Sequence, residues 1–148
     1  MNLEDLYRQI PLTAAMQLQM QPCPRGWRLS APLAPNSNDK GTAFAGSLSA
    51  LLQVAGWVLW QDWCDRTLPM PCQVLAIHFD VQYRKPIVAA LEVSVFLPEN
   101  AEVQRIEEAL RRHQKARAQQ DVMIGSDAES PEVIARIDYA LRCGLKLG

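Results

Sequence analysis

The hydrophobic period changes several times along the chain, and each change marks an element. From Leu3 to Ile10 the apolar positions Leu3, Leu6, Tyr7 and Ile10 recur at the spacing of one helix face, and Pro11 stops the turn, so a short leading helix is predicted. Met16 to Gln21 and Trp27 to Leu33 read as two strands, parted by "PCPRG", whose prolines and glycine suit a bend. Gln73 to Tyr83 alternates, with Leu75, Ile77, Phe79, Val81 and Tyr83 on one face and Ala76, His78, Asp80 and Gln82 on the other. That predicts a long strand with one dry face. Leu91, Val93, Val95 and Leu97 repeat the period, and Val133, Ala135, Ile137, Tyr139, Leu141, Cys143, Leu145 and Leu147 extend it further. Gln119 to Ser126 is expected to be a shorter strand.

Two segments break the period of two. Between Gly41 and Gln61 there is no charged residue, a length that has to be tested as a membrane span because about 20 apolar residues cross a bilayer. Gly46, Ser47, Ser49, Gln53 and Gly56 interrupt the run and no basic flank orients it. A helix hydrophobic nearly all round is then one buried nearly all round. Ala101 to Ala116 is different, with Val103, Ile106 and Leu110 on one side and the pairs Glu107/Arg111 and Glu108/Arg112 outside. Glu99 and Glu102 precede Arg112 and Lys115, which suits the helix dipole, and a covering role is expected. The order of elements is satisfied by a single α+β domain over residues 1–148, in which one curved antiparallel sheet wraps one helix.

With 148 residues, 49% of them hydrophobic, the chain can build a real core. Lys and Arg number 15 against 16 for Asp and Glu, so no global field draws it to nucleic acid or to an anionic membrane. "MNLEDLYRQIPL" lacks an apolar signal core, which makes a cytoplasmic location the expectation. Cys23, Cys64, Cys72 and Cys143 show no C-x-x-C spacing, and with His78 and His113 as the two histidines no metal site is expected. The cysteines read as reduced.

The candidate chemistry lies in "NSNDKGTAFAGS", Asn36 to Ser47, directly against the uncharged segment. Together with the following "LSALLQVAGW", with "IPLTAAM" near the start and with "VQYRKPI" at the end of the first long strand, this stretch resembles the hotdog-fold acyl-thioester enzymes, in particular the thioesterase family named for the C-terminal domain of YiiD. The resemblance spans Ile10 to about Pro86. It implies a sheet wrapped around a helix from Phe44 to Trp63, and a homodimer with two sites at its interface, with pairing of dimers into tetramers left open. The implied substrates are acyl groups thioester-linked to coenzyme A or acyl carrier protein. No cofactor of the protein's own is implied, since the substrate brings its phosphopantetheine arm. Better-known relatives carry the motif G-T-x-H-G-G, which reads Gly41, Thr42, Ala43, Phe44, Ala45, Gly46 here, and their helix carboxylate falls by counting at Gln53. Both replacements remove acid/base capacity.

A helix start leaves backbone N–H groups unpaired and partly positive, where an oxyanion from a thioester carbonyl would be stabilised. Gly41 and Gly46 permit close approach of a ligand, Thr42 or Asp39 is expected to cap the helix, and Asn38 or Thr42 to hydrogen-bond the substrate. Asn38, Asp39 and Thr42 are therefore the candidate catalytic residues, with Asn36, Gly41, Phe44, Gly46 and Ser47 expected to bind substrate. An Asn/Asp/Gly loop before a helix also reads simply as a turn and a cap. Hydrolysis requires a base, for which Asp39 is the nearby carboxylate in sequence. Decarboxylation of a malonyl thioester requires none, and the resemblance implies malonyl-carrier-protein decarboxylases among the relatives. A non-catalytic acyl-carrier-binding dimer is the third alternative. Arg84 and Lys85 could meet a phosphate or an acidic carrier protein, or be ordinary surface cations. Trp57, Trp60 and Trp63 at helical spacing are expected to pack, His78 and Asp80 to face solvent together, and Ser47 and Ser49 lack a nucleophile elbow.

Overall fold

The computed structural model describes residues 1–125 and 127–144. Helices α1 (Leu3–Gln9) and α2 (Leu12–Ala15) lead into strands β1 (Gln19–Cys23) and β2 (Gly26–Ala31). A 3-10 turn over Ala34–Asn36 precedes the central helix α3 (Ala45–Thr67), after which come β3 (Cys72–Tyr83), β4 (Leu91–Phe96), α4 (Asn100–His113), β5 (Lys115–Ile124) and β6 (Val133–Cys143). The strands form two antiparallel three-stranded sheets, ordered β1-β2-β4 and β3-β6-β5, where the alternation alone suggests one. Helix α3 packs against strands of both. Among the described residues no helix is long and apolar enough to cross a membrane.

Helix α3 is enclosed because nearly every face of it is apolar: Leu51, Leu52, Ala55, Val58 and Trp60 are fully buried. Each buried Leu or Val side chain contributes about 1.5–3 kcal/mol relative to exposure, so the helix supplies much of the driving force. Trp60 meets Trp63 edge to face at 5.6 Å, and Trp57 and Trp63 are half-buried against the core. Asp62 is buried as well, holding the N-terminal amine at 3.0 Å and Trp27 Nε1 at 3.1 Å, with Arg66 as a third partner. Burial alone raises the Asp62 carboxyl. The three donors outweigh that and hold it below the usual carboxylate range.

Several boundaries differ from expectation for local reasons. The first strand begins at Gln19, because Leu12–Ala15 turns once as a helix, and it runs through Pro22 and Cys23 to a two-residue turn at Pro24 and Arg25. Pro22 is tolerated because β1 is an edge strand that needs no donor there. Strand β2 stops at Ala31, before Pro32. The covering helix ends at His113, since Gln114 adopts a left-handed cap at φ 57 and turns the chain at once into β5. That strand is longer than predicted, from Lys115 to Ile124. The outward pair Glu107–Arg111 forms at 2.7 Å, and Ile106 and Leu110 are buried beneath it.

The dry face predicted for β3 is a correction. It fails at Leu75 and Ile77, each nearly half exposed, and holds beyond them, where Phe79 and Val81 pack against the core; β3 is an edge strand. The pairing with β6 slips between Ala76 and His78, leaving Ile77 as the extra residue of a bulge. Cys72, Val74 and Ala76 pair with buried Cys143, Leu141 and Tyr139, whereas beyond the bulge Phe79, Val81 and Tyr83 pair with buried Ile137, Ala135 and Val133. The inward face therefore changes from even to odd positions, and Leu75 lies on the outer face. In β6 the alternation Val133 to Cys143 is buried as predicted, while Leu145, Leu147 and Ser126 lie outside the described residues.

Candidate active site at the start of the central helix

The polar loop folds on itself before it reaches the helix. Phe44 N–H donates to Asn36 O at 2.7 Å, Asn38 N–H to Thr42 O at 2.8 Å, and Ser37 bridges Ala43, so residues 36–44 make a narrow two-stranded arch. Gly41 turns its tip at φ +74, a conformation that favours glycine. The arch is tied down at both sides. Asn36 is buried, its Nδ2 donating to Met16 O at 2.9 Å and Pro32 O at 2.8 Å, while its enclosed Oδ1 has no partner among the described residues. Ala43 N–H donates to Ile87 O at 2.8 Å, which fixes the arch to the segment after β3.

Within the arch the candidate catalytic groups engage one another. Asn38 Nδ2 donates to Thr42 Oγ1 at 2.8 Å, and Asn38 Oδ1 accepts from the N–H groups of Lys40 and Thr42 at 2.9 and 3.2 Å. Asp39 is exposed and its carboxylate pairs with Lys40 Nζ at 2.9 Å. Neither Thr42 nor Asp39 caps α3, contrary to the expectation. The arch puts Phe44 at the cap position, with no side-chain bond to the helix, because the backbone pairing of residues 36–44 spends the polar side chains at the arch tip.

The outcome is a helix that starts uncapped. Leu48 N–H is the first to bond back, to Phe44 O at 3.1 Å, and among the described residues no acceptor meets the N–H of Ala45, Gly46 or Ser47. Ala45, Gly46 and Phe44 are exposed, and the Phe44 ring lies against the Gly46 Cα, leaving no room for a Cβ there. Three aligned N–H groups at a solvent-reachable helix start form an electropositive donor set.

A hydroxyl from β3 completes the surroundings. Tyr83 Oη donates to Ala45 O at 3.2 Å and is hydrogen-bonded to Ser49 Oγ, one turn along α3. Gln53, a further turn along, donates through Nε2 to Ser49 O at 3.3 Å, and Tyr139 Oη donates to Gln53 O at 2.7 Å from beneath the helix. Burial pushes the Tyr139 phenol well above its ordinary range, so it serves as a fixed donor. In sequence Tyr83 shows only as the aromatic that ends the β3 alternation, and Ser49 only as a polar break in the uncharged run without a nucleophile elbow.

The remaining candidates lie around this centre. The N–H groups of Arg84 and Lys85 both donate to Glu132 O, at 2.8 and 3.1 Å; the Arg84 side chain reaches Gln82 Oε1 at 3.4 Å and Lys85 Nζ reaches Ser130 Oγ at 2.7 Å. Glu132 itself, unremarkable in sequence because it sits between Pro131 and a strand, lines a cleft of about 270 Å³ with Ile87, Val88, Glu92 and Ile124, and its enclosed Oε2 has no partner among the described residues. His78 and Asp80 are both exposed. All four cysteines are free. Cys72, buried and accepting from Cys143 Sγ at 2.9 Å, has its thiol pushed far up by neighbouring Cys64 and by burial, and burial pushes Cys143 up to about 12, so neither is a thiolate nucleophile near neutral pH.

Comparison with known proteins follows the same lines. A Chlorobaculum tepidum protein of unknown function superposes with a TM-score of 0.85 at 24% identity over 96% of this chain and 93% of its own. A Shewanella oneidensis protein described as a "putative thioesterase" gives a TM-score of 0.76 at 25% identity, covering 93% of this chain and 91% of that one. A Pseudomonas aeruginosa protein described as a "probable thioesterase" gives 0.76 at 19% identity, covering 97% and 99%. No curated protein matches. The family model described as "Putative thioesterase (yiiD_Cterm)" matches residues 2–135, and with an α+β fold of antiparallel sheets about a long central helix, the chain belongs to this YiiD C-terminal family of hotdog-fold thioesterase-like proteins.

Proposed function

We propose that this chain acts on acyl thioesters by decarboxylating a malonyl group carried on acyl carrier protein, giving the acetyl thioester that serves as a starter for fatty acid synthesis. What supports this is the uncapped first turn of α3, with three N–H groups that meet no acceptor among the described residues, with the Tyr83 hydroxyl on the Ala45 carbonyl of the same turn, and with Phe44 and Gln53 where relatives carry acid/base groups. In decarboxylation the electron pair of the breaking C–C bond moves onto the thioester, and the carbonyl oxygen becomes an enolate oxyanion. Donors aimed at that oxygen lower the barrier, and no base takes part. Asp39, the carboxylate nearest in sequence, is engaged by Lys40 in solvent.

The homodimer belongs to the same proposal. Strand β3 presents an unpaired edge of 12 residues with Leu75 and Ile77 exposed, a surface that a second copy would cover. The Tyr83 end of that strand borders the helix start, so a second copy would help enclose the site.

Hydrolysis of an acyl thioester is the second reading, favoured by the enclosed Glu132 Oε2, which has no partner among the described residues, in the cleft that Ile87 shares with the arch. Glu132 replaces Asp39 as the candidate base there. Incubation of the purified protein with malonyl- and acyl-carrier protein, followed by mass measurement of the products, separates the readings. Acetyl-carrier protein with carbon dioxide supports decarboxylation. Free acid with free thiol, lost in Glu132→Gln, supports hydrolysis, and unchanged substrate leaves a carrier-binding dimer.

A further inference from the structure

Loss of carbon dioxide leaves a carbanion equivalent, and the product forms only when its α-carbon receives a proton. In the arch Asn38 Nδ2 is bonded to Thr42 Oγ1 and Asp39 is paired with Lys40, and after β3 the Lys85 Nζ is held by Ser130. Tyr83 reaches the first turn of α3 from outside the helix, its Oη in contact with Ala45 O. It is 45% exposed on one side and in contact with a second hydroxyl, Ser49 Oγ, on the other. With Tyr83 donating to Ala45 O, the Ser49 hydroxyl is left to donate to the Tyr83 oxygen.

We infer that Tyr83 is the proton donor to the enolate and that Ser49 positions it, an inference that rests on the decarboxylation reading above. The bond between the carboxylate carbon and the α-carbon breaks, its electron pair entering the enolate as the thioester oxygen takes up negative charge at the α3 amides. Carbon dioxide leaves. The thioester carbonyl then re-forms as the α-carbon takes the proton from Tyr83 Oη, and the O–H electron pair stays on the phenolate. The phenolate recovers a proton from water through its exposed side, with the Ser49 hydroxyl holding its charge in the interval. Net consumption is one proton per turnover, which balances the loss of the malonyl carboxylate as neutral carbon dioxide.

The test uses the full chain with malonyl-carrier protein in ¹³C-labelled bicarbonate. Tyr83→Phe, which keeps the ring and deletes the donor, is expected to lower kcat about a hundredfold or more, the usual weight of a general acid, with KM changed by less than about threefold. Because the enolate then lacks its proton, it recaptures carbon dioxide, and ¹³C appears in unreacted malonyl thioester at a level absent from the wild type. Ser49→Ala lowers kcat by a smaller factor with the Tyr83 ring intact, and Ser49→Thr, which keeps a hydroxyl, restores it. A Tyr83→Phe protein with wild-type kcat and no label incorporation overturns the assignment while wild-type turnover keeps the decarboxylation reading. Wild-type protein that forms no acetyl product ends both. If Tyr83→Phe fails to melt cooperatively, the Ser49 pair decides, and an unchanged kcat in Ser49→Ala counts against the relay.

Discussion

Proline at position 45 isolates the backbone donor from the fold. Ala45 is the first residue of α3, exposed, and its N–H meets no acceptor, so replacing it with proline removes no hydrogen bond. Proline is favoured at the first helical position, where its fixed φ suits the helix. The residue before it must be extended, and Phe44 already is, at φ −70 and ψ 131. Ala45→Pro is therefore expected to leave stability within about 1 kcal/mol of wild type, by thermal melt. Its effect on turnover should be large: loss of one oxyanion donor costs about 10²–10³ in kcat, or roughly 2.7–4 kcal/mol of transition-state stabilisation. Gly46→Pro removes the next N–H but also displaces the Phe44 ring, so Gly46→Ala, which displaces the ring and keeps the N–H, is its control. Rates are read as acetyl thioester formed per enzyme, with KM measured separately. If both proline variants melt like wild type and keep kcat within about threefold, the α3 amides do not hold the developing charge and the reasoning from the helix start is wrong.

Other parts of the fold give independent checks. Gly56→Ala would stabilise a free helix by about 1 kcal/mol, but here a Cβ runs into the Tyr139 phenol, with ring carbons at 2.9 Å, and overpacking costs roughly 1–3 kcal/mol. A net loss is expected in urea melts, and the penalty of Gly56→Ala should be smaller in a Tyr139→Phe background, which removes the nearest atom but leaves the ring carbons; stabilisation by Gly56→Ala alone would contradict the packing. Asp62 has a depressed pKa, so its contribution is fully present above the unfolded value near 3.8 and is lost as pH falls through the folded one. Asp62→Asn should cost about 1–3 kcal/mol at pH 7, with the gap to wild type closing below pH 4; a gap that persists in acid refutes the assignment. Leu75→Asp combined with Ile77→Asp charges the open β3 edge; the proposed homodimer predicts that wild type sediments at twice the monomer mass and the double variant at the monomer mass, and an unaltered mass would place the interface elsewhere.

The sequence was legible where one physical demand acted alone. The uncharged run predicted a wrapped helix because nothing but burial suits it, and the Val133 to Cys143 alternation predicted a half-buried strand for the same reason. Strand β5 was harder to see, since its inward positions include Ala116, Ala118 and Gln120, residues too small or too polar to show a period. The arch was legible as polar and turn-rich, but not in its internal pairing. Asn38 and Thr42 satisfy each other and Asn36 anchors to Met16 and Pro32, contacts set by backbone geometry across up to 20 residues. Tyr83 gave no sign of its contact with Ala45 and Ser49, because that depends on where β3 ends relative to α3.

The misjudged face of β3 and the surroundings of the helix start have a common cause. Had the strand kept strict alternation from Cys72, the positions facing α3 would have been His78, Asp80 and Gln82, and the Tyr83 hydroxyl would have pointed away from the helix. The extra residue at Ile77 reverses the parity, so that Phe79, Val81 and Tyr83 turn inward opposite buried Ile137, Ala135 and Val133. A bulge bends the strand and costs a ladder pair, and such irregularities are over-represented beside active sites, where they re-aim a side chain. Here the re-aimed residue is a phenol whose oxygen reaches Ala45 O and Ser49 Oγ at the beginning of α3. The same slip moves two ionisable side chains to the outer face, leaving hydroxyls and amides around the helix start, a surrounding suited to stabilising an enolate and poorly suited to activating water.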